Sequence, residues 1–173
     1  MSMGSLVLRQ ANVGDALGIA QVHVGTWQNA YLGMIPDSFL QGLSVEQRAR
    51  NWVEVLESLD TESQIIVAEI DEVIVGFIGI GPSQDSEESD LGEVFAIYVD
   101  PNFQSQGVGS KLMHEGIQLL KNQGLTGAVL WVLDQNIGTR VWYESHGWEF
   151  NGRSKTEKRA DFELLEYQYA IDF

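Results

Sequence analysis

The chain has 173 residues, 44% of them hydrophobic and 20% charged, a balance that suits a soluble globular protein with a buried core. With 25 acidic against 10 basic residues its formal net charge is −15, which argues against nucleic acid or an anionic membrane as partner and leaves cationic or neutral ligands open. There is no cysteine, which excludes disulfides, cysteine metal ligands and an acyl-cysteine intermediate.

In chain order, Leu6–Arg9 reads as a first strand. Asp15 is placed to cap a helix whose apolar face is Leu17, Ala20, Val24, Trp27 and Tyr31, and Gly33 and Pro36 end it. A short helical turn spans Pro36–Gly42. Ser44 and Gln47 form a capping-box pattern that opens a helix with Trp52, Val55, Leu56 and Leu59 inward. Gln64–Ile70 and Val73–Ile80 are strands of an antiparallel hairpin turning at Asp71-Glu72. Gln84–Asp90 is acidic and polar and reads as a mobile loop.

The run Val94-Phe-Ala-Ile-Tyr-Val99 then predicts a buried strand, stopped at Asp100-Pro101 because proline has no N–H for the ladder. A helix follows, opening at Gln104-Ser105-Gln106-Gly107-Val108-Gly109-Ser110, carrying Leu112, Met113, Ile117 and Leu120, and ending near Gly124. Ala128–Val132 is a strand, Asn136–Ser145 a short helix stopped at Gly147, and Trp148–Gly152 and Phe162–Ile171 are strands flanking a charged loop, Lys155–Asp161. No repeat or linker divides the chain, so a single domain over 1–173 is expected. No apolar run is long enough to span a membrane and no leader-like segment opens the chain, so a cytoplasmic location is the default expectation.

Two motifs carry chemistry. Glycines between a strand and a helix let successive backbone N–H groups approach an anion, and the helix N-terminus adds partial positive charge. The sequence lacks the Gly-Lys-Ser/Thr of a P-loop, and a dinucleotide fingerprint would need glycine where Leu112 stands. Q-x-x-G-x-G at 104–109 resembles the pyrophosphate loop of the GNAT superfamily of acetyl-CoA-dependent N-acetyltransferases. Asn136, then Tyr143-Glu144 and Gly147-Trp148, resembles a second GNAT pattern in the right order and spacing. The match is closest over Gly92–Trp148, with a fainter likeness along nearly the whole chain.

The resemblance implies an α/β fold with a mixed, mostly antiparallel central sheet, a splayed fourth strand and helices on both faces. It implies acetyl-CoA as co-substrate, its pyrophosphate on Gln104, Ser105, Gln106, Gly107, Val108, Gly109 and Ser110, and its pantetheine arm along Ile97, Tyr98 and Val99. A bulge there would splay the strand, and an N–H near Ile97 would polarise the thioester carbonyl. Asn136 is by its chemistry a helix N-cap and by resemblance a cofactor contact. Tyr143 matches the family's general acid for the departing thiolate, although a helical tyrosine also serves as core. Glu93 lies where many members place a general base, and is equally a solvated strand-end carboxylate. Lys111 and Arg140 are candidates for the cofactor phosphates. Trp27 and Tyr31 belong to a T-W-x-x-x-Y-x-G-x-x-P stretch that resembles a GNAT subgroup and covers the acceptor end; they also read as core aromatics.

The expected reaction moves an acetyl group from acetyl-CoA to a primary amine by direct transfer in a ternary complex. The alternative is a catalytically silent CoA-binding regulatory module. The acceptor is a small-molecule amine or a protein N-terminus, a homodimer is left open, and neither nucleic acid nor membrane is expected as partner. His23, His114 and His146 are isolated, so no metal site is expected, and no G-x-S-x-G supplies a hydrolase nucleophile.

Overall fold

The computed structural model describes residues 4–173. The strands β1 (Leu6–Gln10), β2 (Gln64–Ile70), β3 (Val73–Pro82), β4 (Leu91–Val99), β5 (Gly127–Leu133), β6 (Glu149–Arg159) and β7 (Phe162–Asp172) form one sheet in the order β1-β2-β3-β4-β5-β7-β6. Between them run the helices α1 (Ala16–Ala30), α2 (Asp37–Gln41), α3 (Val45–Ser58), α4 (Val108–Asn122) and α5 (Ile137–Ser145). Neighbouring strands are antiparallel except β4 and β5.

Alternation along the strands sends two apolar sets to opposite faces. Ile66, Ala68, Ile78, Ile80 and Leu130 meet Leu112, Met113 and Leu120 of α4, with Tyr143 and Trp148 completing that core. Ile65, Val67 and Phe77 point the other way, onto Ile19, Ala20 and Trp52 of α1 and α3. A third cluster, Trp27, Ile35, Leu40, Leu133 and Leu164, ties the α1–α2 segment to β5 and β7. The helices therefore cover both faces of the sheet.

The β2–β3 turn has positive φ at both Asp71 (50°) and Glu72 (66°), the backbone twist a two-residue hairpin needs. At Ser44 the capping box is half formed. Gln47 N–H donates to Ser44 Oγ at 3.1 Å, but the Gln47 amide turns away to Asn51. Asp15 makes no side-chain cap for α1. Its carboxylate accepts from both terminal guanidinium nitrogens of Arg9 at 2.8 Å and closes a capping box with Asn12 one turn earlier. On α1 the buried face runs through Ala16, Ile19, Ala20 and Trp27, leaving Leu17 54% exposed, and on α3 Val55 points outward beside a buried Trp52.

Two expected loops are ordered differently. Lys155–Arg159 is not a loop but the second half of β6, paired from Lys155↔Glu166 to Arg159↔Phe162, so that the hairpin turns at Ala160-Asp161. The acidic segment before β4 is tied down rather than free: Arg153 donates to Asp85 at 2.8 Å and to buried Glu88, which also accepts from Gln168 at 3.1 Å.

The sheet opens in one place. Gly79 of β3 opposes Ala96 and Ile80 opposes Val94, so Phe95 is an extra, bulged residue of β4. The parallel pairing of β4 with β5 runs only through Leu91↔Gly127, Gly92↔Ala128 and Glu93↔Val129. Beyond those rungs the two strands diverge, and the gap joins the two faces of the sheet.

Candidate active site

A cleft of about 830 Å³ occupies that gap. Of the residues singled out from sequence, Trp27, Tyr31, Glu93, Ile97, Tyr98, Val99, Gln104, Ser105, Gly107, Gly109, Ser110, Asn136 and Tyr143 line it. Gln106 and Val108 do not. The Gln106 amide reaches back to the Asn102 carbonyl at 3.4 Å, and the Val108 side chain is buried in the α4 core, leaving their main chain as what they can offer a ligand.

At one end stands the glycine loop. Gly107, with φ of 83°, is the N-cap of α4, and Ser105 also has positive φ (62°), so the chain coils just before the helix. The first-turn amides of α4 have no partner within the helix, and Gln104 fixes the loop by donating its amide to the Val99 carbonyl at 3.1 Å. Gly109 lets the helix pack close, since a Cβ there would stand 3.2 Å from the Trp142 ring. Ser110 Oγ lies 2.8 Å from His146 Nε2. His146 Nδ1 is 2.8 Å from the Trp142 carbonyl, which can only accept, so Nδ1 carries the proton and Nε2 accepts from Ser110. The cations expected here are not at the cleft. Arg140 donates to the Asp134 carbonyl and to Tyr169 Oη and covers the Tyr167 ring, while Lys111 is absent from the lining. What the loop can offer an anion is therefore main chain.

Asn136 starts α5 through its backbone alone. Its carboxamide caps nothing, the residue is 9% exposed, and it borders the cleft. Tyr143, one helical stretch later, is 7% exposed; burial pushes its phenol well above the ordinary value, so it is a protonated donor at neutral pH. Its hydroxyl has no hydrogen bond to a protein group among the described residues.

The other face of the sheet supplies the opposite wall. Trp27 Nε1–H donates to Tyr98 Oη at 3.2 Å, Tyr31 meets Trp27 edge-on at 5.0 Å, and Tyr98 stacks on His23 at 5.2 Å. His23 accepts from Trp52 Nε1, and burial lowers its pKa to about 4, so it is a neutral core histidine. Glu93 is half-buried. Burial raises its carboxyl above the usual range, while the Gln84 N–H and Lys155 oppose the rise and Glu88 adds to it.

Sequence reading missed the third wall, because it lies on the misread segment of β6. Cross-strand partners share a face, so Lys155, Glu157 and Arg159 of β6 point with Leu164 and Glu166 of β7 into the cleft, beside Trp131 and Leu133 of β5. Lys155 Nζ sits 4.3 Å above the Trp131 ring and 3.7 Å from Glu166 Oε2. Arg159 pairs with Glu157 at 3.0 Å and covers Trp27. Glu166 is half-buried, its Oε2 has no hydrogen-bond partner among the described residues, and burial raises its carboxyl despite Lys155. Charged residues at every second position of one strand, Lys155, Glu157 and Arg159, were the available signal; it went unused because none of the three is apolar.

Comparison with known proteins agrees with this architecture. Residues 19–148 match the Acetyltransferase (GNAT) family. The chain is 28% identical over 141 residues to the uncharacterized N-acetyltransferase YuaI of Bacillus subtilis, covering 82% of this chain and 79% of that one. It is 27% identical over 169 residues to the L-amino acid N-acetyltransferase AaaT of Escherichia coli, covering 96% and 97%. The PaiA N-acetyltransferase of Thermoplasma acidophilum, solved in complex with coenzyme A, superposes with a TM-score of 0.72 at 18% identity over 98% and 99% of the two chains. The chain belongs to the GNAT acetyltransferase family and is an acyltransferase.

Proposed function

We propose that the protein transfers the acetyl group of acetyl-CoA to a small primary amine by direct attack within a ternary complex. The observation that carries this reading is the gap between β4 and β5: it joins the glycine loop and Tyr143 on one face to Glu93, Trp27 and Tyr31 on the other. Two reactants can enter from opposite faces and meet in the opening. A chain without cysteine has no thiol to hold the acetyl group between two half-reactions.

The cofactor pyrophosphate sits on the N-terminal amides of α4, with Gly107 and Gly109 keeping side chains out of its way. The pantetheine arm runs beside Ile97–Val99, where β4 has lost its β5 partner and has main-chain groups to offer. An N–H near Ile97 stabilises the oxyanion, a contribution of about 3 kcal/mol for one such donor. Glu93, with its raised carboxyl, removes a proton from the incoming ammonium, directly or through water. Tyr143 protonates the departing thiolate, and the Asn136 carboxamide holds the cofactor. The acidic chain and the Trp27–Tyr31 pair suit an amine that arrives as a cation. A name such as L-amino acid N-acetyltransferase in a relative covering nearly the whole chain supports a small acceptor.

The test is CoA release from acetyl-CoA across a panel of small amines, with both substrates varied. Intersecting double-reciprocal lines are the expected result; parallel lines would overturn direct transfer.

A further inference from the structure

Strand register places one amine of the protein itself near the reaction level. Glu93 pairs with Val129, and because Phe95 is an extra residue of β4, Ile97 stands three rungs further on, at the level of Val132, with Leu133 the next residue along β5. Leu133 pairs with Glu166, and Glu166 with Lys155. The row Leu133–Glu166–Lys155 therefore lies one residue beyond Ile97, within reach of a lysine side chain from the thioester carbonyl if acetyl-CoA fills the cleft as proposed above.

We infer that Lys155 is an acetyl acceptor of its own active site, so that the enzyme modifies itself at this position; the inference rests on that placement of acetyl-CoA. Lys155 lines the cleft, whereas Lys111, Lys121 and Lys158 do not. Its ammonium rests on the Trp131 indole face and 3.7 Å from Glu166 Oε2, a buried carboxylate oxygen with no hydrogen bond. Those are the contacts a receptor for an alkylammonium would provide, here filled from within. Glu93 and Glu166 both act on this ammonium electrostatically, and Glu166 is the nearer carboxylate to take its proton.

The step balances without another reagent. The Lys155 ammonium gives a proton to Glu166, the neutral amine attacks the thioester carbonyl carbon, a C–N bond forms and the C–S bond breaks. The CoA thiolate leaves and takes a proton from Tyr143, the cationic nitrogen of the adduct gives its second proton through water to the Tyr143 oxygen, and the proton held by Glu166 passes to solvent. The products are Nε-acetyl-Lys155 and CoA. Acetylation removes the cation between Glu93 and Glu166, leaves Arg159 as the cation on that wall, and clears the indole–carboxylate site for an incoming amine.

Lys158 is an internal control. It lies on the same strand but the opposite face, 85% exposed at its side chain against 46% for Lys155, so uncatalysed acetylation would favour it. The experiment incubates the purified protein with acetyl-CoA and follows the Lys155 and Lys158 peptides by mass spectrometry, with CoA binding measured in parallel by calorimetry. The expected result is that Lys155 gains one acetyl group about tenfold faster than Lys158 or more, as held proximity dictates. Its rate constant should not depend on protein concentration, and excess CoA should slow Lys155 while sparing Lys158. Equal labelling of the two lysines in a protein that binds CoA overturns this inference and leaves the cofactor site standing. Failure to bind CoA overturns both.

Discussion

Glu93 faces Val129 across the last rung that joins β4 to β5, and it is the rung at which the sheet parts. A carboxylate held there has pairing on one side and the open cleft on the other, which explains why it is half-buried with a raised pKa. The sign of that shift has two consequences. A carboxyl raised above its unfolded value near ~4.3 binds protons more tightly in the folded state, so its cost is absent below the unfolded pKa and complete above the folded one. Glu93→Gln should therefore raise Tm slightly at about pH 7, where wild type bears the whole cost, and lose that advantage as the pH falls toward ~4. The same variant should lower kcat/KM and flatten its acid limb, which in wild type lies above the ordinary carboxylate range. Thermal unfolding and pH–rate profiles on one pair of proteins check both; a destabilised Gln variant at neutral pH would refute the first.

Ser110→Asp separates binding from folding. Ser110 is in the first turn of α4, where a carboxylate complements the helix dipole by roughly 0.3–1 kcal/mol, which offsets the lost hydrogen bond to His146. The fold should be about as stable as wild type. The same charge faces the amides proposed for the pyrophosphate, so the Kd for acetyl-CoA should rise by about tenfold or more, equivalent to ~1.4 kcal/mol. Calorimetry at equal Tm reads the difference, and an unchanged Kd would remove the phosphate from this loop.

Tyr143→Phe deletes a hydroxyl that bonds to no protein group among the described residues while keeping the ring against Trp148 and Tyr169. Stability and acetyl-CoA affinity should hold. The kcat should fall by about 10²–10⁴-fold, the usual contribution of a general acid, because the proton is needed only as the thiolate departs. Steady-state kinetics with calorimetry decide it, and an activity within about twofold of wild type would reduce Tyr143 to packing.

What could be read from sequence followed where apolar pattern and turn chemistry coincide. Gln64–Ile70 and Val73–Pro82 are buried on both faces and read as continuous apolar runs, and Asp71-Glu72 had to be their turn. Gly107 and Gly109 announced the loop because φ at the first and close packing at the second require glycine. Lys155–Arg159 was illegible for a physical reason. β6 is an edge strand whose inward face meets the cleft instead of the core, so its alternation is of charges rather than of apolar and polar residues. Leu17 and Val55 were misplaced because a helical stripe is wide enough for a residue at its border to fall either way.

Trp27 illustrates a residue that both packs and faces the site. At 8% exposure in a core cluster, its truncation to alanine should cost about 3–5 kcal/mol and would say little about the acceptor. Trp27→Phe keeps most of the apolar volume and removes the N–H that Tyr98 Oη accepts. Acetyl-CoA affinity should be unchanged while KM for the amine shifts, since the altered hydroxyl lies on the acceptor face. A change confined to acetyl-CoA affinity would place the acceptor pocket elsewhere.

The last prediction concerns the tie between the acidic segment and β6. Glu88 is 8% exposed, one of its oxygens has no hydrogen-bond partner among the described residues, and its other oxygen depends on Arg153 and Gln168. Arg153 also holds Asp85, and the segment in turn brings the Gln84 N–H to Glu93. Arg153→Met keeps the aliphatic stem but strands a buried carboxylate. Removing one partner of a fully buried pair costs about 3–5 kcal/mol; Arg153 is 46% exposed, so water can replace part of the loss and about 1–2 kcal/mol is expected. Amides of 84–90 should exchange faster with solvent, and the acid limb of kcat/KM should move upward, because losing the Gln84 N–H removes a contact that favours the Glu93 carboxylate. Combining Arg153→Met with Glu88→Gln should recover part of the stability by removing the stranded charge, and should return part of the limb's shift, because the Glu88 charge raises the Glu93 carboxyl. If the single variant leaves both hydrogen exchange and the limb unchanged, the segment is held by its backbone and Arg153 plays no part in presenting Glu93.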